Sequence, residues 1–172
     1  MKKLLCLLLS AVLPVILAAC APSGSSAPTT PVTQGTSEAA EDTLAFVYQG
    51  TAIQVNALAE PILSALGEPI SRTEEASCAF DGLDKTYFYG SFYLQTYPAG
   101  DGDRVFSLWL VDDTVSTPEG IFIGSTEQQV KDAYGEDSLD GSACTVTRGG
   151  CRLTLILESG AVSSIQYDAV LE

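Results

Sequence analysis

The chain has 172 residues, 46% apolar and 17% charged, which suits one packed domain of modest size and excludes wholesale disorder. Acidic residues outnumber basic ones 22 to 8, a formal charge of −14, and this excludes the basic surface that a nucleic-acid binder needs. There is no histidine, which removes Ser-His-Asp and Cys-His catalysis, histidine zinc sites and histidine-ligated haem.

Lys2 and Lys3 precede an almost wholly apolar run, Leu4 to Leu17, interrupted by Ser10 and Pro14. A membrane-spanning helix needs about 20 apolar residues. The run is shorter than that and has the anatomy of a secretory signal peptide. It ends in Leu17-Ala18-Ala19-Cys20, which resembles the lipobox of bacterial lipoproteins. The resemblance implies that residues 1–19 are removed and that the Cys20 thiol carries a diacylglycerol with palmitate-type chains. The protein is then extracytoplasmic and lipid-anchored to the cell membrane. In a cell with an outer membrane, Ala21 in place of aspartate resembles the pattern that sorts lipoproteins there. No other stretch reaches 18 apolar residues, so no second crossing is expected.

Residues 20–43 read as the lipidated cysteine and a disordered tether. Ala21 to Thr43 holds four Ser, five Thr, three Pro and two Gly, with Val32 its only large aliphatic. Such a composition cannot bury enough surface to offset ordering entropy. As a flexible coil it spans roughly 26 Å.

The folded part is expected over residues 44–172, and its main feature is an internal repeat. A shift of 68 residues lays Val55 on Ile123, Ile62 on Val130, Ala65 on Ala133, and Gly67-Glu68 on Gly135-Glu136. Both segments read as short helices ended by glycine. Ser125 and Gln128 are placed as a capping box for the second. Period-two patterns follow: Lys85 to Tyr97 and Arg104 to Asp112, then Ser142 to Thr147, Arg152 to Glu158 and Ala161 to Asp168. The last strands align at a shift of 57, with Val105 on Val162 and Leu108 on Ile165. The expected fold is α+β: two tandem units, about 44–113 and 114–172, each a short helix followed by a three-stranded antiparallel meander, with an N-terminal hairpin turning at Gln49-Gly50.

Gly120-Ile121-Phe122-Ile123-Gly124-Ser125, then Val130 and Tyr134-Gly135, resembles the entry signature of β-lactamase-inhibitor-protein-like domains and of the small lipoprotein of the outer-membrane barrel assembly machine. Ser77 to Lys85 and Thr117 to Gly120 are similar to segments of uncharacterised lipoproteins of Gram-positive anaerobes. These resemblances imply a binding or scaffolding role and carry over no catalytic residues.

Strand parity points to a surface. Reading Tyr87 to Tyr97 as one strand puts Phe88, Phe92 and Leu94 on the core side with Phe106, Leu108 and Leu110 of the next strand. Tyr87, Tyr89, Tyr93, Tyr97 and Trp109 then share the opposite face, and Tyr and Trp are enriched at interfaces. Two fates are open to that face: an external partner, or the front hairpin or second unit of the same chain. A bulge at Gly90 would flip the parity. A hairpin turning at Thr147-Arg148 would place Cys144 opposite Cys151 for a disulfide, the rival being two free buried thiols. Cys78 is expected in the core. No metal site is expected, since Asp101-Gly102-Asp103 lacks the spacing of a calcium loop, and no cofactor motif is present.

The resulting expectation is a membrane-anchored envelope lipoprotein, not an enzyme, that binds an extracytoplasmic protein or peptide through an aromatic sheet face. The alternatives are an inhibitor of an extracytoplasmic hydrolase and an envelope enzyme using carboxylates.

Overall fold

A computed structural model describes residues 43–171. The signal segment, Cys20 and the tether up to Asp42 lie outside the described residues. The strands β1 (Phe46–Tyr48) and β2 (Thr51–Ile53) form a hairpin. Helix α1 (Ala59–Leu66) leads to β3 (Ser71–Ala76), β4 (Leu83–Phe88), β5 (Phe92–Ala99) and β6 (Gly102–Leu110). Helix α2 (Glu127–Tyr134) and a single 3-10 turn lead to β7 (Leu139–Asp140), β8 (Ala143–Arg148), β9 (Cys151–Glu158) and β10 (Ala161–Ala169).

The expected arrangement of two tandem helix-plus-three-strand units is overturned. The described chain is mostly β, with two eight-residue helices and one continuous eight-stranded antiparallel sheet in the order β3-β4-β5-β6-β10-β9-β8-β7. β6 and β10 close the sheet across its middle, pairing Trp109 with Gln166, Leu108 with Tyr167 and Ser107 with Asp168. The segment expected as one strand, Lys85 to Tyr97, is a hairpin instead. Tyr89 to Ser91 form its turn, and the Tyr89 amide donates to the Phe92 carbonyl at 3.0 Å. β3 was not expected at all.

One face of the sheet is the core. A row of Tyr87, Leu94, Leu108, Tyr167, Leu153 and Val146 crosses six strands, and a second row carries Ile165, Leu155 and Cys144. Leu44, Phe46, Ile53, Ala59, Ile62 and Val130, from the front hairpin with its lead-in and from the helices, are buried with them in one cluster.

Both helices are entered by a turn whose residue pair bonds to a strand, with Asn56 and Gly124 at positive φ (63° and 104°). Asn56 donates to the Val105 carbonyl at 2.6 Å, and the Val105 amide donates back to Ala57 at 2.9 Å. Gly124 and Val162, then Val162 and Ser125, repeat this at 2.8 Å each. Irregularities in the ladder fall at Phe106 in β6 and Ser163 in β10. The capping box of α2 is one residue later than expected. Thr126 accepts from the Gln129 amide at 3.3 Å, and the Gln129 side chain accepts from the Thr126 amide at 2.8 Å. Ser125 is buried, and its Oγ accepts from Phe122 at 3.0 Å. Pro61 is tolerated in α1 because it falls in the first turn, where amides have no intrahelical partner.

The β8–β9 hairpin turns at Gly149-Gly150, not Thr147-Arg148. Both glycines have positive φ (54° and 74°), as a two-residue type I′ turn requires and as glycine takes without strain. This shift decides the cysteine geometry. Cys144 stands opposite Leu155 and Cys151 opposite Arg148. Four residues of strand, roughly 13 Å, separate the two positions, well beyond disulfide reach. Cys78, Cys144 and Cys151 are all free, and Cys78 is exposed rather than in the core. Burial pushes the Cys144 thiol up and the Cys151 thiol up to about 11. At pH 8 both therefore stay protonated and shielded. Iodoacetamide is expected to label Cys78 in the native protein and to reach Cys144 and Cys151 only after denaturation. Peptide mapping by mass spectrometry reads this directly, and native labelling of Cys144 would contradict the register.

Candidate functional site

Among the described residues, the face opposite the core carries no helix. Its residues follow from the strand register. One row runs Phe88, Tyr93, Trp109, Gln166, Thr154 and Thr145 across six strands. The next runs Thr86, Gln95, Ser107, Asp168, Arg152 and Thr147. The face is thus aromatic over β4–β6 and polar over β10–β8.

The three rings of the first row stack. Phe88 and Tyr93 have centroids 4.5 Å apart at 25°, and Tyr93 and Trp109 lie 5.1 Å apart at 17°. Tyr93 and Trp109 each carry a polar tip on an apolar body, a hydroxyl and an indole N–H that can hydrogen-bond to a partner. All three remain partly exposed. The polar row is tied together at its centre. Ser107 donates to Asp168 at 2.8 Å, and the Gln166 amide donates to Asp168 at 2.7 Å and to Ser107 at 3.3 Å. These bonds hold the carboxylate and the amide at fixed positions beside Trp109.

The five residues expected on one face are divided by the fold. Tyr93 and Trp109 come together on the open face. Tyr87 is buried on the core side, beneath the Arg72 guanidinium at 5.4 Å. Tyr89 lies in the β4–β5 turn, where its ring stacks on Phe92 at 5.2 Å and its hydroxyl donates to the Gly67 carbonyl at 3.3 Å. Burial is the main cause that raises the Tyr89 phenol. Tyr97 has the open-face parity but is 7% exposed. Phe80, from the β3–β4 loop, covers it at 4.7 Å, and the Tyr97 hydroxyl donates to Asn56 at 2.7 Å.

Phe88 was placed in the core and belongs to the open face, because the Tyr89–Ser91 turn reverses the chain before Phe92. Phe106 was likewise placed in the core. It is the extra residue of the bulge, with Gln95 opposite Ser107 and Thr96 opposite Val105, so Val105 takes the core position. The parity between these strands is broken by the bulge at Phe106 and by the Tyr89–Ser91 turn, not by a bulge at Gly90. The front hairpin packs on the core side, with Phe46 5.2 Å from Phe92, and leaves the open face clear. Among the described residues, no group of three or more Cys, Asp or Glu is arranged to hold a metal ion.

No protein-family model matches the chain, and no curated protein matches it. Among solved structures, an extracellular protein containing an SCP domain from Bacillus anthracis str. Ames aligns at a TM-score of 0.40 and 14% identity. The alignment covers 67% of this chain and 44% of that one, so the chain spans less than half the length of that protein.

Proposed function

We propose that the chain is a lipid-anchored binding or scaffolding module of the cell envelope, which takes an extracytoplasmic protein or peptide on the open face of its sheet. The observation that carries this reading is the stacked row Phe88, Tyr93 and Trp109, partly exposed and uncovered by any helix among the described residues, beside a fixed polar row. Aromatic side chains with polar tips supply large contact area at low entropic cost, and they dominate interface energetics. The signal segment and Cys20 support the location: a tether from the bilayer presents the domain on the outer side of the membrane. No helix among the described residues is long and apolar enough to cross a membrane.

Trp109 is the chain's only tryptophan, so its emission reports on this face alone. Binding of a partner isolated from solubilised envelope is expected to shift the Trp109 emission to the blue and protect it from acrylamide. The variant Phe88→Ala/Tyr93→Ala is expected to weaken binding by at least about tenfold, as loss of central aromatic anchors does. A bound partner that leaves the emission and quenching of Trp109 unchanged would overturn the assignment of this face.

A further inference from the structure

Among the described residues β3 is a free edge of the large sheet, and all six of its residues are exposed. The other edge, β7, has two residues. The Ser77 amide donates to the Gly82 carbonyl at 3.0 Å just beyond β3. By alternation Ser71, Thr73 and Glu75 address β4, whereas Arg72, Glu74 and Ala76 direct their backbone N–H and C=O groups away from it. Such an edge is a template for another strand unless its charges forbid the pairing.

We propose that β3 pairs antiparallel with β3 of a second copy of this chain, with the two-fold axis at Thr73. A symmetric continuation of the sheet keeps core face on core face, so only residues of equal parity can stand opposite one another. An axis at Arg72 opposes arginine to arginine, and an axis at Glu74 or Glu75 opposes glutamate to glutamate. An axis at Ser71 overlaps only the start of the strand. The axis at Thr73 overlaps nearly its full length and places Arg72 opposite Glu74 of the second copy, twice by symmetry. These two residues already pair within one chain, so the dimer joins four alternating charges on one face. Their backbone groups are the outward-facing ones, which makes them the hydrogen-bonded pairs of the new ladder. The pairing also covers Ile70, which is 72% exposed next to the strand. The charges that repel an arbitrary strand thus select one register. One strand pair is a small interface, so the association is weak and favoured where copies are concentrated on a surface.

The test uses the full-length chain in intact cells. Thr73→Cys, in a Cys78→Ser background, brings two thiols together on the axis, where the Cα atoms of a non-hydrogen-bonded pair lie about 4.5 Å apart. Mild oxidation is expected to yield a disulfide-linked dimer. Adding Arg72→Glu, or Glu74→Arg, is expected to lower that yield at least about tenfold. Co-expression of the two charge variants under different tags is expected to restore cross-linking between tags and not within them, which also shows that each variant folds. No cross-link at Thr73, or equal yields with and without Arg72→Glu, would overturn the proposal.

Discussion

Phe92→Ala is expected to destabilise the domain by about 3–5 kcal/mol, a large part of the ~5–15 kcal/mol that holds a domain folded. Phe92 is fully buried in the first residue of β5. Phe46 and Tyr48 of the front hairpin meet it at 5.2 and 4.9 Å, both edge-on at 65°, and Tyr89 stacks on it at 17°. Leu110 faces it from β6. The ring therefore joins the hairpin, the β4–β5 turn and the sheet. Three elements with separate backbones cannot collapse together into the space it leaves, so the cavity cost adds to the lost burial. Phe88→Ala, four residues earlier on the open face, removes the same atoms from a half-exposed site. Its cost should stay within about 1.5 kcal/mol, the value of an aromatic pair plus partial burial. Urea unfolding followed by circular dichroism measures both. Equal losses would contradict the division of Phe88 and Phe92 between the two faces.

That division shows where sequence pattern and fold part company. Alternation identifies Phe92 and Leu94, and Leu108 and Leu110, because each pair lies in an unbroken stretch of strand. It fails between Phe88 and Phe92 because Tyr89-Gly90-Ser91 continues the alternation of an aromatic strand through a reversal of direction. It fails again below Leu108, where one extra residue shifts Phe106 outward and Val105 inward. Both failures exchange faces, which is why Tyr87 moved into the core and Phe88 out of it. β3 escaped notice for a different reason. A solvent-exposed edge strand has no buried face, so Ser71-Arg72-Thr73-Glu74-Glu75-Ala76 shows no apolar period. The continuity of the sheet was also illegible. It depends on β6 meeting β10, whose paired residues lie 57 to 61 apart in the chain, and nothing local in either strand encodes its partner. The turn of the last hairpin but one, β8–β9, by contrast, carries a local physical signal in its glycine pair. Gly149-Gly150 had the backbone freedom to turn the hairpin, and weighing it above Thr147-Arg148 would have removed the disulfide expectation.

Cys20→Ser is expected to move the protein from the membrane to the soluble fraction and to abolish incorporation of labelled palmitate. Among the described residues nothing replaces such an anchor. Without residues 1–19 the chain keeps six basic and 22 acidic residues, a charge of −16, and anionic headgroups repel such a body. Among the described residues, four of the six cations are engaged in ion pairs, Arg72, Lys85, Arg104 and Lys131, which leaves only Arg148 and Arg152 on the β8–β9 hairpin. Among the described residues no helix is long and apolar enough to cross a membrane. Acyl chains supply about 0.8 kcal/mol per buried methylene, and two of them hold a protein where a single chain binds only reversibly. Hydrophobic anchoring of this kind is insensitive to salt, whereas electrostatic adsorption weakens as ionic strength rises. The native protein should therefore stay in the membrane pellet through a high-salt wash, and the Cys20→Ser chain should leave it even at low salt. A serine variant that stays in the pellet, or that still takes up palmitate, would show that the anchor lies elsewhere in the chain.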